Sequence, residues 1–173
     1  MEQFTNPLVW FRRIRHRCGY GIHSPYAFNF VTGVVYEKLP FYPCQELDTT
    51  LPFSYRFRRR KTLHLLFRIA NHHQPKLTYI DTDDTYVMNY LRAGCRKSSH
   101  AGYDKQIDLC YLTRPNDDII SRLHEGSILI LDNMQQHAEW FHSLPSVVSY
   151  DLWDTGIAYF NPKYNKQHYI INF

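Results

Sequence analysis

The fold is decided by residues 107–132, which read IDLCYLTRPNDDIISRLHEGSILILD. The run at 127–131 is almost wholly apolar, which is typical of a strand buried on both faces of a parallel sheet. Residues 107–112 have a similar pattern and predict a second strand. Between them, apolar residues recur at helical spacing, so we expect a helix over 115–124 that stops at Gly126. This order of strand, helix and strand predicts a right-handed crossover and parallel strands.

The flanking sequence extends this α/β pattern in both directions. Upstream, the short apolar run 77–80 predicts a strand, and 85–93 has helical spacing. Downstream, residues 135–143 predict a helix that ends before Pro145. Three further strands with short turns between them predict an antiparallel edge at the C-terminal side of the sheet. Their ranges are 147–153, 156–160 and 167–173.

The first part of the chain has helical rather than strand-like spacing. Ser24 followed by Pro25 is typical of a helix N-cap and first turn, and the apolar spacing continues that helix to residue 37. A series of prolines predicts an irregular connection over 38–54. Two more helices are expected, over 4–16 and 57–72.

Length and composition are those of a globular domain. The chain has 173 residues, of which 44% are hydrophobic and 21% are charged, close to the average for globular proteins. A chain of this length is long enough for one core and too short for two ordinary ones. We therefore predict a single domain over 1–173, with a mainly helical segment at 1–75 and an α/β core at 76–173.

The spacing of the cysteines and the first residues of the chain indicate the cellular compartment. The chain has four cysteines and no C-x-x-C pair, so neither a zinc site nor a disulfide framework is expected. The first residues lack the basic start and apolar run of a signal peptide, and no run reaches the length of a membrane span. These features predict free thiols, a cytoplasmic location and no membrane contact.

Positive charge is concentrated in the first half of the chain. Residues 1–80 carry 12 Lys or Arg against 4 Asp or Glu, while the net charge of the whole chain is +4. The segment 55–61 interleaves aromatic and basic residues, a combination that stacks on unpaired bases and contacts phosphates. The alternative interpretation is a helix whose arginines extend into solvent. The first interpretation predicts an RNA-binding protein that uses Arg56, Arg58, Arg59 and Arg60.

Glycine is scarce, and the common phosphate-loop motifs are absent from the sequence. The chain has 7 glycines. The pair Gly19-x-Gly21 is followed by Ser24 where a G-x-G-x-x-G motif requires a third glycine, and there is no G-x-x-x-x-G-K. Nucleotide binding through a conventional glycine-rich loop is therefore not expected.

Several segments together resemble one protein family. They are GIHSPYAF at 21–28, LLFR at 65–68, QPK at 74–76, YDL at 150–152, GIAYF at 156–160 and KQHYIINF at 166–173. These segments resemble a group of small bacterial class I S-adenosylmethionine-dependent methyltransferases, related to the catechol-type O-methyltransferases. The resemblance implies a Rossmann-like methyltransferase sheet with S-adenosylmethionine as cofactor. The short interval between the predicted helix at 85–93 and the strand at 107–112 implies that two strands on one side of the sheet are missing.

The resemblance also implies where the cofactor would bind. The cofactor loop corresponds to Asp81, Thr82 and Asp83, and the loop after the next strand begins with Thr113. Relatives have a glycine-rich loop at the first of these places, where only residues without a Cβ let the backbone approach the cofactor cheaply. The stretch 81–85 has three aspartates and no glycine. We therefore expect a methyltransferase-like protein with impaired or absent cofactor binding, kept as a binding or scaffold protein. An active methyltransferase on an unknown substrate is the alternative.

A metal site is the next expectation, again from the resemblance. Asp132 and Asn133 resemble the Asp-Asn metal pair of the catechol-type members. A broader cation site would join Asp81, Asp83 and Asp84 to Asp132, since hard cations bind clustered oxygen ligands. The alternative for these residues is a set of turns that cap the helices that follow.

The sequence predicts neither a methyl acceptor nor a catalytic residue. A small molecule or a protein is the expected partner. A sheet edge left uncovered by the missing strands would present unpaired backbone groups. We therefore expect either a homodimer through that edge or cover from the N-terminal helices.

Overall fold

The computed structural model describes residues 11–102 and 105–173, and for Arg58 the backbone alone. Contacts divide the chain into two compact units. The helical unit comprises, of the described residues, 11–74, 83–97 and 172. The sheet unit comprises 75–82, 98–102, 105–171 and 173. In the described part of the chain, no helix has both the length and the apolar character needed to cross a membrane.

The sheet unit is built on one mixed sheet, which within the described residues has seven strands in the order β2-β1-β3-β4-β6-β5-β7. The strands are β1 (Leu77–Ile80), β2 (Ser99–His100), β3 (Ile107–Leu112), β4 (Leu123–Asp132), β5 (Val148–Asp151), β6 (Thr155–Tyr159) and β7 (Gln167–Ile170). Strands β2, β1, β3 and β4 are mutually parallel. This α/β architecture is consistent with a Rossmann-like fold.

The central strands β3 and β4 are buried on both faces, as their apolar runs predict. The side chains of Leu109, Cys110, Ile128 and Leu129 are completely inaccessible to solvent. Alternate residues point to opposite faces of a strand, so these neighbouring pairs cover both faces. On one face, Cys110 and Leu129 join a cluster that includes Phe141. That phenylalanine belongs to α7 (Ala138–Ser143), which with α6 (Asp117–Ile120) is one of two short α-helices among the described residues of the sheet unit.

The C-terminal side of the sheet differs from the prediction. The predicted antiparallel pairing is confirmed for β6, which lies between β4 and β5 and is antiparallel to both, but it is wrong for the edge itself. The edge strand β7 is instead parallel to β5. On the opposite side, the two-residue strand β2 pairs with β1 where the sequence predicted no strand.

The expected helix over 115–124 is also wrong. Its helical part is limited to α6, and β4 already begins at Leu123, so that Gly126 lies within a strand. The reason is the side chain of Ser127. Its Oγ accepts the His124 N–H at 2.7 Å and donates to the Ile107 carbonyl at 2.6 Å. These bonds fix an irregular start of the β3–β4 ladder, and local periodicity carries no signal for such side-chain bonds.

The helical unit contains, within its described residues, five α-helices. They are α1 (Pro25–Phe30), α2 (Tyr42–Thr50), α3 (Phe53–Arg58), α4 (Arg60–His73) and α5 (Thr85–Gly94). The predicted N-cap is confirmed, since the Ser24 Oγ accepts the Ala27 N–H at 3.4 Å. After α1 the chain continues as a π-helical segment, Val31–Val35. Arg68 Nε donates to the Val34 carbonyl at 2.6 Å and thereby satisfies one acceptor of that segment.

One prediction for this unit is wrong, one is confirmed over most of its length, and one lies partly outside the described residues. The expected irregular connection contains α2, because Pro43 occupies the first turn of a helix, where a missing N–H costs nothing. The helix expected near 57–72 is confirmed from Arg60 onward as α4, whereas residues 57 and 58 belong to α3, with a break at Arg59. Of the predicted helix at 4–16, residues 4–10 lie outside the described residues, and Ile14–His16 form a short 3-10 helix.

Candidate functional site

The predicted cofactor residues at the ends of β1 and β3 contact each other. The Asp81 Oδ1 atom accepts the backbone N–H of Thr113 at 2.8 Å, and the Asp81 N–H donates to the Tyr111 carbonyl at 3.1 Å. Asp81 therefore links the loops that follow the two neighbouring parallel strands. Thr82 follows in the same loop, while Asp83 belongs to the helical unit.

The electrostatics of Asp81 follow from this position. Burial raises its pKa, and the hydrogen bonds from Thr113 together with the charge of Arg114 offset that rise only in part. A carboxylate with a raised pKa is poorly solvated in its charged form. The Asp81 carboxylate thus depends on the backbone of the adjacent loop for stabilisation.

The predicted metal pair follows β4. Asp132 is buried, and its Oδ2 accepts the hydroxyl of the equally buried Tyr111 at 2.9 Å. Asn133 adopts a left-handed backbone conformation, with φ 53° and ψ 35°, and starts a short 3-10 turn at Met134. Asparagine tolerates that conformation better than most residues, so a turn accounts for its presence here.

Asp84 lies in the helical unit and caps α5, in agreement with the capping interpretation. Its Oδ1 atom accepts the N–H groups of Tyr86 and Val87 at 2.9 and 3.4 Å, and its Oδ2 atom accepts the Tyr55 hydroxyl at 3.0 Å. Across the described residues, no group of three or more His, Cys, Asp or Glu is arranged to hold a metal ion. The assignment of metal ligands to Asp132 and Asn133 stays a prediction.

The predicted nucleic-acid arginines make different contacts within the helical unit. Arg59 Nη1 lies 3.7 Å from the Asp84 carboxylate, and Arg60 Nη2 lies 2.8 Å from that of Asp48. Arg56 Nη2 donates to the Thr49 carbonyl at 3.1 Å. The side chain of Arg58 is outside the described part of the chain. Each described arginine of the four therefore has an intramolecular partner.

The outward face of α3 is aromatic. Phe53 and Phe57, one helical turn apart, are 82% and 81% exposed, and their ring centroids are 6.3 Å apart with planes inclined at 28°. Arg56 lies between them in sequence and is also exposed. This surface has two large rings and a guanidinium in contact with solvent.

Sequence analysis missed Asp48, whose carboxylate accepts several hydrogen bonds within the helical unit. Asp48, on α2, accepts hydrogen bonds from Tyr90, His64 and Arg60, at 2.6, 2.9 and 2.8 Å. A small cleft of about 240 Å³ lies beside it. The sequence signal that could have found Asp48 is its position one turn after the buried Cys44 on the same helix. Residues at that spacing point to the same side of a helix.

Comparison with family models, with curated proteins and with solved structures finds no match to this chain.

Proposed function

We propose that this chain is a methyltransferase-like protein whose cofactor-binding edge has become a structural hydrogen-bond network, and that it acts as a binding or scaffold protein. The observation that carries the proposal is the 2.8 Å bond between the Asp81 carboxylate and the Thr113 N–H. In the resemblance, Asp81 corresponds to the start of the family's glycine-rich approach to its cofactor, and this bond supports a structural role for its carboxylate.

The side chains of the loop support this proposal. Every position from 81 to 85 has a side chain, whereas a close approach of backbone to ligand requires residues without a Cβ. The residues present therefore do not fit S-adenosylmethionine in the manner of the family.

The test is a thermal-shift titration with S-adenosylmethionine and with S-adenosylhomocysteine, repeated by equilibrium dialysis with the labelled cofactor. We expect no saturable stabilisation up to millimolar ligand. A cofactor that binds the folded protein stabilises it by RT ln(1 + [L]/Kd), which is about 2.7 kcal/mol at a hundredfold excess over Kd. A saturable shift with matching dialysis would overturn the proposal in favour of an active methyltransferase.

A second candidate function, binding of single-stranded RNA, is favoured by the outward face of α3. Its observation is the exposed pair Phe53 and Phe57 beside Arg56. Aromatic rings stack on unpaired bases and contribute about 1–3 kcal/mol per base. Because Arg56, Arg59 and Arg60 each have an intramolecular partner, the two exposed rings carry this candidate, with the exposed Arg56 beside them.

For this candidate we expect a fluorescent oligouridine to bind with an affinity that falls as salt rises, with a logarithmic slope of about −0.7 per phosphate contacted. Replacing Phe53 and Phe57 together with alanine should weaken binding at least about tenfold, since stacking is lost. Tyr20→Ala, which removes a ring that is 79% exposed elsewhere, is the matched control. Equal affinity of the double variant and the control would exclude this surface.

A further inference from the structure

A second site lies in the sheet unit, far along the chain from the strand-end aspartates. It is a cleft of about 270 Å³ beside the β5–β7 ladder and the C-terminal end of α7. Its polar lining consists of His142, Ser146, Ser149, Lys166, Gln167 and His168. Sequence analysis assigned no role to these residues in combination.

The pairing of β5 with β7 builds the floor of this cleft. Ser149 and His168 are register partners in the parallel ladder, so their side chains share a face. The Ser149 Oγ and the His168 Nδ1 are 2.8 Å apart and form a hydrogen bond. This bond fixes the orientation of the imidazole ring.

A second imidazole lines one side of the cleft. The ring of His142, from the last turn of α7, lies edge-on to that of His168, with centroids 4.7 Å apart and planes inclined at 80°. Ser146 and Ser149 are buried, while His142, Lys166 and His168 are exposed. Hydroxyl groups therefore lie deep in the cleft, and the nitrogen groups surround its opening.

The chemistry of this lining is that of an anion site. One ammonium group, two imidazoles, two hydroxyls and an amide all offer hydrogen-bond donors, and none of the described residues that line the cleft is acidic. Two imidazoles this close repel each other when both are protonated, and an anion bound beside both rings offsets that repulsion. The volume is slightly below the range of about 300–1,000 Å³ for drug-sized ligands, which favours a compact group.

We propose that this cleft binds a phosphate group, with Lys166, His142 and His168 as charged or polar donors and Ser149 as the side chain that orients His168. Phosphate presents several acceptor oxygens in a compact tetrahedral group, which matches a small cleft lined by donors from β7 and the residue before it, from α7 and from the segment before β5. The group is either a free phosphate or part of a small phosphomonoester.

Isothermal titration with inorganic phosphate, with phenyl phosphate and with sodium chloride as the ionic control tests this proposal. We expect saturable phosphate binding that chloride at equal ionic strength does not reproduce. Tighter binding of phenyl phosphate would identify a phosphomonoester as the natural ligand, and equal binding would identify free phosphate. Lys166→Gln and His168→Gln should each weaken binding about tenfold, the size expected for a lost charge-assisted hydrogen bond.

The matched controls are Lys163→Gln and His100→Gln, which remove the same side-chain types at exposed positions outside the cleft lining. Both controls should retain wild-type affinity. Lys166 and His168 are exposed, and a thermal melt of each variant establishes that it is folded before titration. Absence of saturable phosphate binding to the wild type, or equal affinity in cleft and control variants, would overturn the proposal.

Discussion

Replacing Asp48 with alanine is expected to lower the free energy of unfolding by about 2–4 kcal/mol, as measured by urea denaturation at pH 7. Asp48 is the common acceptor for the Tyr90 hydroxyl, the His64 ring and the Arg60 guanidinium. Tyr90 is completely buried. A buried hydroxyl that loses its acceptor without access to water retains the full desolvation penalty, so the loss exceeds that of an exposed ion pair.

The effect of Asp48 depends on pH in a defined direction. Burial raises its pKa, but the hydrogen bonds from Tyr90 and His64 and the charges of His64 and Arg60 lower it by more, so that the net pKa is below 3.8. An acid with a lowered folded-state pKa stabilises the fold above its unfolded pKa, and this contribution is lost as pH falls through the folded value. The stability difference between wild type and Asp48→Asn should therefore narrow as pH falls below about 4.

Two further variants test whether the network, rather than the helix, accounts for the loss. Tyr90→Phe removes one donor and should lower the free energy of unfolding by about 1 kcal/mol. Glu46→Ala changes an exposed acidic residue on the same helix and should change it by less than about 0.5 kcal/mol. Two outcomes would contradict this account of Asp48. One is an equal loss of unfolding free energy in Asp48→Ala and Glu46→Ala. The other is a stability difference between wild type and Asp48→Asn that is the same at pH 3 as at pH 7.

The parts of the fold that could be predicted from sequence are those that hydrophobic burial determines. Strand β1 was predicted with its bounds, as was β3, because each is a short apolar run. Helix α5 was predicted to within one residue, since Asp84 is a strong N-cap and the apolar spacing behind it is regular. In these segments, local pattern and tertiary environment require the same structure.

The parts that could not be predicted depend on side-chain bonds between distant residues. Prolines suggested a connection where α2 forms, although its Pro43 suits the first turn of a helix. The early start of β4 depends on Ser127, whose partner Ile107 is 20 residues away. No local spacing reports the early start of β4, because the partner of Ser127 lies in another strand. The position of Pro43, in contrast, is a local signal that permits a helix.

The same division holds for the two sites. That Asp81 and Thr113 meet could be predicted, because the ends of adjacent parallel strands lie at one edge of a sheet. That Ser149 meets His168 could not, since it requires the register of β5 on β7, and those strands are not consecutive. In the sheet unit, sequence analysis considered strand ends alone, and it did not find the group of basic and hydroxyl side chains beside β5 and β7.

Replacing Gly94 with alanine is expected to lower the free energy of unfolding by about 3 kcal/mol, at the upper end of overpacking effects. Gly94 ends α5 where that helix packs on α4. A Cβ there would lie well inside 3.0 Å of the Phe67 carbonyl oxygen, 2.9 Å from the Ala70 Cβ and 3.1 Å from the Asn71 nitrogen. Two of these three obstacles are backbone atoms, so relief requires the helices to move apart rather than a side chain to rotate.

The control is Gly33→Ala, also at a helical glycine, where a Cβ would meet no heavy atom within 4 Å. There the substitution restricts only the unfolded chain and should raise the free energy of unfolding by about 0.4–1 kcal/mol. Urea denaturation measures the change in the free energy of unfolding for each variant. A decrease for Gly94→Ala and an increase for Gly33→Ala would establish close packing of α4 on α5 as the cause at Gly94. A neutral Gly94→Ala would mean that α5 approaches α4 less closely than this structure has it.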